Sequence, residues 1–411
     1  MKFKKKNLKR IFLYILIILA ILLILAALLK RVSHRFTSFI VPISRPAQSI
    51  KNTKPLSAEI FFSNEPVAGD NSLTKSDFIK LITTEINAAQ KTLEIAVYSI
   101  KSPTIKEAIY RASERGVKVT LILDFRKSTV HDAFFSDLPA GIKRLDLGTD
   151  GQQNISLMHH KFALIDRGTS KEKLIFGSFN WTELQAIYDR SFIMITDNPE
   201  LVSSFGREFN RLTGGQGEKN KLKNKNYQPW DLNLNAAGYN YEVWFGPGRA
   251  YNGINKRIDN LLKEAQSDIK IMAWSFTDST LAEEILRQAR AGRKVTIIAD
   301  SFNFSGTSSA FKILNEAKAR ENLDNLEILQ DNTSVAAKDS TDAKDTNTNI
   351  DPFLHYHLLI IDNKKILFGT NNWSRGGFYA NDESAIVSDD PKIIKKFLDS
   401  FSYNYQINKH L

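Results

Sequence analysis

The chain repeats itself, and this internal repeat constrains the fold more than any other feature of its 411 residues. The segment AQKTLEIAVYSIKSPTIKEAIYRASERGVKVTLILD (89–124) aligns without a gap with AQSDIKIMAWSFTDSTLAEEILRQARAGRKVTIIAD (265–300). In each copy a strand pattern is followed by an amphipathic helix, a glycine (Gly116 or Gly292) and an apolar strand that ends in Asp. This order predicts two βαβ units, each with a sheet covered on both faces.

Each copy continues into a stretch that contains histidines. The first is MHHKFALIDRGTSKEKLIFGSFNW (158–181) and the second is HYHLLIIDNKKILFGTNNW (355–373). Both patterns predict a strand, a turn and a returning strand, and alternate residues of a strand share one face. The polar side chains that this rule groups are His159, Lys161, Ser178 and Asn180 in the first copy, and His355, His357, Thr370 and Asn372 in the second.

Each group combines an imidazole, a basic side chain, a hydroxyl and an amide. Such a set suits a tetrahedral anion such as phosphate, because the base supplies charge and the other groups donate hydrogen bonds to oxygen. If the two copies face each other, one histidine can attack phosphorus while the other protonates the leaving oxygen and then activates water. This scheme requires no metal and no other cofactor.

Two other interpretations of the histidines remain open. They could be core residues, although four of the seven histidines in the chain fall in the two matching stretches. His355 and His357 could also form an H-x-H metal pair, but no acidic or histidine cluster supplies a third ligand at a suitable spacing. His160 is expected to point away from His159 and to be structural.

The first 50 residues carry most of the net charge of +11. They contain ten Lys and Arg and no acidic residue, and the remaining 46 basic residues nearly balance 45 acidic ones. The basic residues flank the apolar run 11–29, which as a helix spans about 28 Å and is predicted to be an uncleaved membrane anchor. Their distribution favours a cytoplasmic N-terminus and a catalytic region on the extracytoplasmic side. The near-neutral remainder offers no general nucleic-acid signal.

Composition and the repeat together predict the layout of the chain. The predicted parts are a basic N-terminus with its transmembrane helix (1–29), a tether (30–55), a first α/β domain (56–213), a linker (214–239), and a second α/β domain (240–408) with a disordered insertion (331–350). Duplicated domains normally pack about a pseudo-two-fold axis, so one chain resembles a dimer and is expected to be a monomer.

At the histidine stretches the sequence resembles the phospholipase D superfamily. The resemblance rests on H-x-K-x4-D followed by G-S-x-N, and it covers both repeats. The first motif is similar to that of bacterial nucleases and mitochondrial cardiolipin hydrolases. The resemblance implies two α-β-α sandwich halves with the site between them and a covalent phosphohistidine intermediate. The residues that it places in the first motif are His159, Lys161, Asp166, Gly177, Ser178 and Asn180.

The resemblance also implies roles for individual residues. His159 is the expected nucleophile and His355 the general acid, with their order left open. Asp166 and Asp362 occupy the Asp position of the family and are counted with the catalytic set, although a mainly structural role is plausible. Phosphate is expected to bind at Lys161, His357, Ser178, Asn180, Thr370 and Asn372.

Two positions depart from the family pattern. His357 stands where the family has Lys, so a fixed charge is replaced by a group with a pKa near 6.5, which could favour activity at mildly acidic pH. The acidic residue that orients the catalytic imidazole is Glu383 in the second repeat, but its match in the first repeat is Ser191, with Asp189 nearby.

Three functions are compatible with these features. The expected one is membrane-anchored hydrolysis of phospholipids, because the anchor holds the site near a bilayer. The alternatives are a tethered endonuclease and an inactive phosphate-binding protein. Transfer of the phosphatidyl group to an alcohol differs from hydrolysis only in the second acceptor.

Overall fold

The computed structural model describes residues 46–63, 77–148, 156–214, 228–248, 252–304, 310–331 and 353–410. The predicted membrane helix 11–29, residues 215–227 of the predicted linker and residues 332–350 of the predicted insertion lie outside these ranges. Within the ranges, no helix has both the length and the apolar composition that crossing a bilayer requires.

The described residues form two β-sheets, one for each repeat. The strands are β1 (Gln48–Asn52), β2 (Ala58–Phe62), β3 (Thr92–Val97), β4 (Lys118–Asp124), β5 (Lys143–Leu147), β6 (Lys161–Ile165), β7 (Lys173–Gly177), β8 (Phe192–Thr196), β9 (Trp230–Ala236), β10 (Tyr239–Phe245), β11 (Asp268–Ala273), β12 (Lys294–Asp300), β13 (Leu326–Asp331), β14 (His357–Ile361), β15 (Lys365–Gly369) and β16 (Ser384–Ser388). The first sheet has the order β2-β8-β7-β6-β3-β4-β5 and the second the order β1-β9-β10-β16-β15-β14-β11-β12-β13. The predicted mixed α/β architecture is therefore confirmed.

Helices cover the faces of both sheets. They are α1 (Phe78–Ala88), α2 (Pro103–Glu114), α3 (Ser128–Phe134), α4 (Glu183–Tyr188), α5 (Pro199–Leu212), α6 (Ile254–Glu264), α7 (Ser279–Arg290), α8 (Ala310–Glu321), α9 (Arg375–Tyr379) and α10 (Pro391–His410). Short 3-10 turns, Phe125–Lys127 and Ser301–Phe304, follow β4 and β12.

The βαβ unit forms in both repeats as the sequence predicts. Helix α2 begins where the Ser102 hydroxyl accepts the Ile105 N–H, and α7 begins where Asp278 caps Leu281 in the same way. Gly116 follows α2 with φ +87°, a conformation that costs least for glycine. Strands β3 and β4 then pair in parallel, as do β11 and β12.

The core has three layers, and the central one joins the repeats. In β6, Phe162 and Leu164 enter the central cluster, while Ala163 and Ile165 pack on the opposite face. The central cluster contains residues of both sheets together with the two last helices of the repeats, α5 and α10. The two repeats therefore share one hydrophobic core.

Two predicted connecting segments contain strands. Residues 48–52 of the predicted tether form β1, which pairs in parallel with β9. Residues 230–236 of the predicted linker form β9 itself, and its alternating sequence WDLNLNA buries Leu232 and Leu234 in the central core. The sequence analysis did not foresee these strands, because the overall polarity of the two stretches obscures the alternation that indicates a strand.

Candidate active site

Both histidine pairs lie where the two repeats meet. His159 and His355 lie two residues before β6 and β14, and each is tied to the other repeat through its backbone. The His159 N–H donates to the Asp382 carbonyl at 2.9 Å, and the His355 N–H donates to the Arg190 carbonyl at 2.9 Å. These matched contacts give the interface its pseudo-two-fold character and bring both imidazoles to one site.

Glu383 connects the second repeat to the His159 imidazole. The Nδ1 atom of His159 lies 2.9 Å from Oε2 of Glu383, and both side chains are buried. When Glu383 is ionised, its carboxylate can accept a proton from Nδ1, which leaves the Nε2 lone pair of His159 available for attack on an electrophile. The hydroxyl of Thr370 donates to the same Glu383 oxygen at 2.7 Å, and Asn381 donates to the other at 3.1 Å.

Burial controls the ionisation of this carboxylate and of the nearby lysine. Burial raises the pKa of Glu383 to about 8, against the opposing effects of Lys161 and of the hydrogen bonds from Thr370 and Asn381. Burial also lowers the pKa of Lys161 to about 7, against Glu383 and Asp124. The Lys161 side chain is 1% exposed and donates to the His159 carbonyl at 2.9 Å. Lys161 is therefore positioned beside the imidazole as a cation that can lose its proton near neutral pH.

The second histidine pair has no comparable acidic partner. Nδ1 of His355 and both ring nitrogens of His357 lack hydrogen-bond partners among the described residues. The two rings lie 5.6 Å apart between centroids, and Trp274 meets His355 edge-on at 5.5 Å, as Tyr98 meets His159 at 5.1 Å. The site is thus nearly symmetric in shape and asymmetric in hydrogen bonding.

The pKa values of these histidines follow from burial and from neighbouring cations. Burial, with Lys161 next in effect, lowers the pKa of His355 and of His159 well below 6.5. Burial also lowers the pKa of His357 well below 6.5, with His355, His159 and Lys161 adding to the effect. Burial therefore disfavours the charged form of His357 in this site, which argues against the acidic optimum that its sequence position suggested.

Ser191 and Asp189 do not restore an acid beside His355. Ser191 occupies the position of Glu383, and its hydroxyl has no partner among the described residues. Asp189 occupies the position of Asn381 and accepts the Phe353 N–H at 3.1 Å, as Asn381 accepts the Leu157 N–H at 3.0 Å. Asp189 therefore anchors the backbone at Phe353.

The amide and hydroxyl groups of the returning strands also lie in this region. The Ser178 hydroxyl accepts the Phe192 N–H at 3.2 Å, and the Thr370 hydroxyl donates to Glu383. The side-chain oxygens of Asn180 and Asn372 are buried without partners among the described residues. These two oxygens can therefore accept a hydrogen bond from a ligand, whereas the Thr370 proton is already engaged.

Asp166 and Asp362 lie at the opposite ends of β6 and β14 from the histidines. Asp166 accepts the N–H groups of Gln90, Lys91 and Thr92 at 2.6–3.1 Å. Asp362 binds the matching turn of the second repeat, accepting the N–H of residues 266 to 268 at 2.8–2.9 Å. Both have φ near +50°. These contacts favour the structural role of both aspartates over a catalytic one.

The sequence interpretation gave no role to two aspartates that shape the site. Asp124 accepts the Met158 N–H at 2.8 Å, and Asp300 accepts the Leu354 N–H at 3.0 Å, so each fixes the residue before His159 or His355. The sequence feature that could have identified them is that Asp124 and Asp300 occupy the same position in the repeat alignment. Burial raises the pKa of Asp124 to about 6, opposed by hydrogen bonds from the N–H groups of Met158 and Arg126.

His160 is structural, as its position predicts. Its Nδ1 lies 2.6 Å from the Ser384 hydroxyl and its Nε2 lies 2.8 Å from Glu208. Among the described residues, His160, Glu208 and Asp382 are the group whose ligand atoms lie close enough to hold a metal ion. Arg211 already forms an ion pair with Glu208 there, and the group contains neither member of the H-x-H pair.

Comparison with known proteins agrees with this geometry. The chain matches the family described as cardiolipin synthase, PLD-like domain, over residues 82–213 and 258–405. Mitochondrial cardiolipin hydrolase of Danio rerio is 32% identical over 143 residues, which are 34% of this chain and 60% of that protein. The Mus musculus protein of the same name is 30% identical over 125 residues, 30% of this chain and 53% of that protein.

A phospholipase D of Rickettsia felis is 29% identical over 126 residues, 31% of this chain and 59% of that protein. The chain thus spans between 53% and 60% of the length of these three relatives. The structure of phosphatidylserine synthase from Haemophilus influenzae superposes with a TM-score of 0.59 at 14% identity, covering 87% of this chain and 89% of that one. This likeness shows a shared fold. With both repeats matched by one family, the chain belongs to the PLD-like domain family of the phospholipase D superfamily.

Proposed function

We propose that the chain is a membrane-anchored phosphodiesterase that hydrolyses phospholipids through a phosphohistidine intermediate. The observation that carries the proposal is the 2.9 Å contact between His159 Nδ1 and Glu383, which prepares one imidazole, and not the other, as a nucleophile. The names of the cardiolipin hydrolase and phospholipase D relatives support a phospholipid substrate.

The reaction has two steps. Nε2 of His159 attacks the phosphorus of the diester, the P–O bond to the headgroup breaks, and His355 gives a proton to the departing alkoxide. Water then attacks the phosphohistidine, His355 takes the proton, and the P–N bond breaks to release phosphatidate and free His159. In the first step His355 must be protonated, which the negative charge of the bound phosphate favours.

The remaining polar groups hold the phosphate during both steps. Lys161 supplies positive charge, and the amides of Asn180 and Asn372 can donate to non-bridging oxygens. Ser178 and His357 line the same strands and complete the proposed subsite. The scheme requires no metal, because the protein side chains provide the nucleophile, the acid and the compensating charge.

The location of the reaction follows from the sequence of the N-terminus. The apolar run 11–29 supports a single-pass anchor, and its basic flanks favour an extracytoplasmic catalytic region. Both halves of the site come from one chain, so a monomer is sufficient for activity.

A tethered endonuclease is the second candidate function. Arg126, which is exposed, and Lys127, whose Nζ lies 5.8 Å from the Tyr98 ring centroid, place positive charge near the site. The same cations can attract a nucleic-acid backbone.

Side-by-side assays of the full chain separate the candidates. The chain is reconstituted in vesicles that contain cardiolipin or phosphatidylglycerol and assayed in EDTA, with single- and double-stranded DNA as competing substrates and His159→Ala as the control. We expect phosphatidate release that His159→Ala abolishes. Cleavage of DNA alone would replace the lipid proposal with the nuclease, and no turnover on any substrate would indicate the inactive phosphate-binding protein. Adding glycerol to the same assay measures transfer against hydrolysis.

A further inference from the structure

The large hydrophobic side chains that remain exposed are concentrated in the first repeat. Among the described residues they are Phe125, Val130, Leu184, Ile187 and Tyr239. The first four, which we call the apolar rim, belong to two segments that leave the first sheet. Exposed apolar residues are common singly, but a group of them in one region marks a surface that contacts something apolar.

The two segments of the apolar rim are at the active-site end of the sheet. Phe125 directly follows Asp124, whose carboxylate holds Met158 beside His159. Helix α4, which carries Leu184 and Ile187, follows Trp181, whose carbonyl accepts the Lys101 N–H at 2.9 Å. The apolar rim therefore flanks the loop from Tyr98 to Lys101 on two sides, and Tyr98 contacts the His159 ring.

Helix α4 exposes apolar side chains although the segment that carries it is packed against the outer core. Leu184 and Ile187 are 47% and 50% exposed and are three residues apart, so they share one face of the helix. Trp181, at the start of the same segment, is 1% exposed and anchors it in the outer core. The segment is thus held firmly while one apolar face remains directed outward.

Positive charge accompanies the apolar rim. Lys101 and Arg126 are exposed and Lys127 is half-buried, all within the same loops. The acidic residue at the start of α4, Glu183, is engaged by the Ser102 hydroxyl. Apolar side chains next to cations match the acyl boundary and the headgroups of an anionic bilayer.

The second repeat provides an internal comparison. In the repeat alignment, Phe125 corresponds to Ser301, Lys127 to Asn303 and Leu184 to Gly376. Arg126 and Ile187 correspond instead to the aromatic residues Phe302 and Tyr379. Phe125, Lys127 and Leu184 are therefore positions at which the second repeat has neither an apolar nor a cationic side chain.

We propose that the apolar rim, with Lys101, Arg126 and Lys127, docks the mouth of the active site onto an anionic phospholipid bilayer. This inference rests on the proposed lipid function and extends it. The rim enters the headgroup region and the cations bind lipid phosphates, so the headgroup of a membrane lipid reaches His159 without leaving the bilayer.

A fluorescent probe on the full-length chain tests the docking directly. The chain has no cysteine, so Ile187→Cys can be labelled uniquely with NBD, an environment-sensitive dye. Tyr239→Cys is the matched control, because Tyr239 is 39% exposed and begins β10, whose other end adjoins Glu383. Both proteins are reconstituted in phosphatidylcholine vesicles with and without phosphatidylglycerol. We expect NBD emission to rise and shift to the blue at position 187 when phosphatidylglycerol is present, and to stay constant at position 239.

Equal responses at the two positions, or no response at position 187, would overturn the docking proposal. A response at position 187 to single-stranded DNA and not to lipid would overturn it in favour of a nucleic-acid surface. In parallel, Leu184→Ser/Ile187→Ser should lower phosphatidate release from vesicles about tenfold and leave hydrolysis of soluble bis(4-nitrophenyl) phosphate unchanged. If the probe at position 187 enters the bilayer but the unaltered chain releases no phosphatidate, the proposed lipid hydrolysis is overturned and the docking proposal stands.

Discussion

The Nδ1 atom of His159, in the first repeat, lies 2.9 Å from a carboxylate oxygen of Glu383, in the second repeat. The reciprocal contact does not exist in the described structure, because Ser191 stands opposite His355. The duplication has therefore kept the shape of a two-fold site while giving the two imidazoles different hydrogen-bond partners.

Glu383→Gln should lower kcat about 10²- to 10⁴-fold with little change in fold, because the amide can favour the wrong tautomer of His159. The measurement is steady-state hydrolysis of a soluble phosphodiester. Ser191→Ala is the matched control and should change kcat less than about threefold, since its hydroxyl supports no hydrogen bond in the described structure. Similar losses in both variants would show that the asymmetry has no catalytic meaning.

His159→Ala and His355→Ala should differ in the intermediate they permit. With a 4-nitrophenyl ester, whose leaving group needs little protonation, His355→Ala should still form the phosphoenzyme and accumulate it, because its hydrolysis lacks a base. His159→Ala should form none. Quenching in alkaline denaturant, which preserves the P–N bond, followed by intact mass spectrometry measures the covalent adduct. An adduct in His159→Ala that is absent from His355→Ala would reverse the two roles.

The residues of this site and the fold that carries it could be predicted from the sequence. Both depend on local patterns, namely the alternation of residues along a strand and the helical spacing of apolar residues. The alternation of β6 placed His159 and Lys161 on one face, and the repeat alignment paired His159 with His355. The partner of His159 was not predictable from the same rules, since Glu383 follows it by 224 residues and arrives through packing of the repeats. The strand β9 was missed for a different reason, namely that a polar segment can still bury alternate residues against a neighbouring sheet.

Activity should fall as pH rises through about 7, because Lys161 loses the proton that makes it a phosphate ligand. Burial lowers its pKa to about 7, so the charged form dominates below that pH and the neutral form above it. The plot of kcat/KM against pH reports this ionisation in the free enzyme. Lys161→Arg keeps its charge throughout and should lose the alkaline limb even if its maximal rate is lower. If the alkaline limb of the pH profile persists in Lys161→Arg, the ionisation that causes it belongs to a group other than Lys161.

His357→Lys should tighten the binding of inorganic phosphate at pH 6 by about tenfold, because it adds an ammonium charge where the neutral imidazole supplies none. His357→Gln, which is neutral like the buried histidine, should bind phosphate within about threefold of the unaltered chain. Competitive inhibition by phosphate provides both constants. A large loss of affinity in His357→Gln would mean that His357 is charged or hydrogen-bonded to the ligand when the site is occupied.

Asp166→Ala should reduce the stability of the chain without altering the chemistry of the folded fraction. The carboxylate accepts three backbone N–H groups, from Gln90, Lys91 and Thr92, and its loss leaves them without these acceptor oxygens. The expected cost is about 2 to 3 kcal/mol in the free energy of unfolding, measured by denaturant titration in detergent. Asp362→Ala removes the matching contacts of the second repeat and should cost a similar amount.

Because β6 joins this turn to the site about 20 Å away, kcat and KM per folded molecule should stay near those of the unaltered chain. Unchanged stability together with a hundredfold lower kcat would instead return Asp166 to the catalytic set.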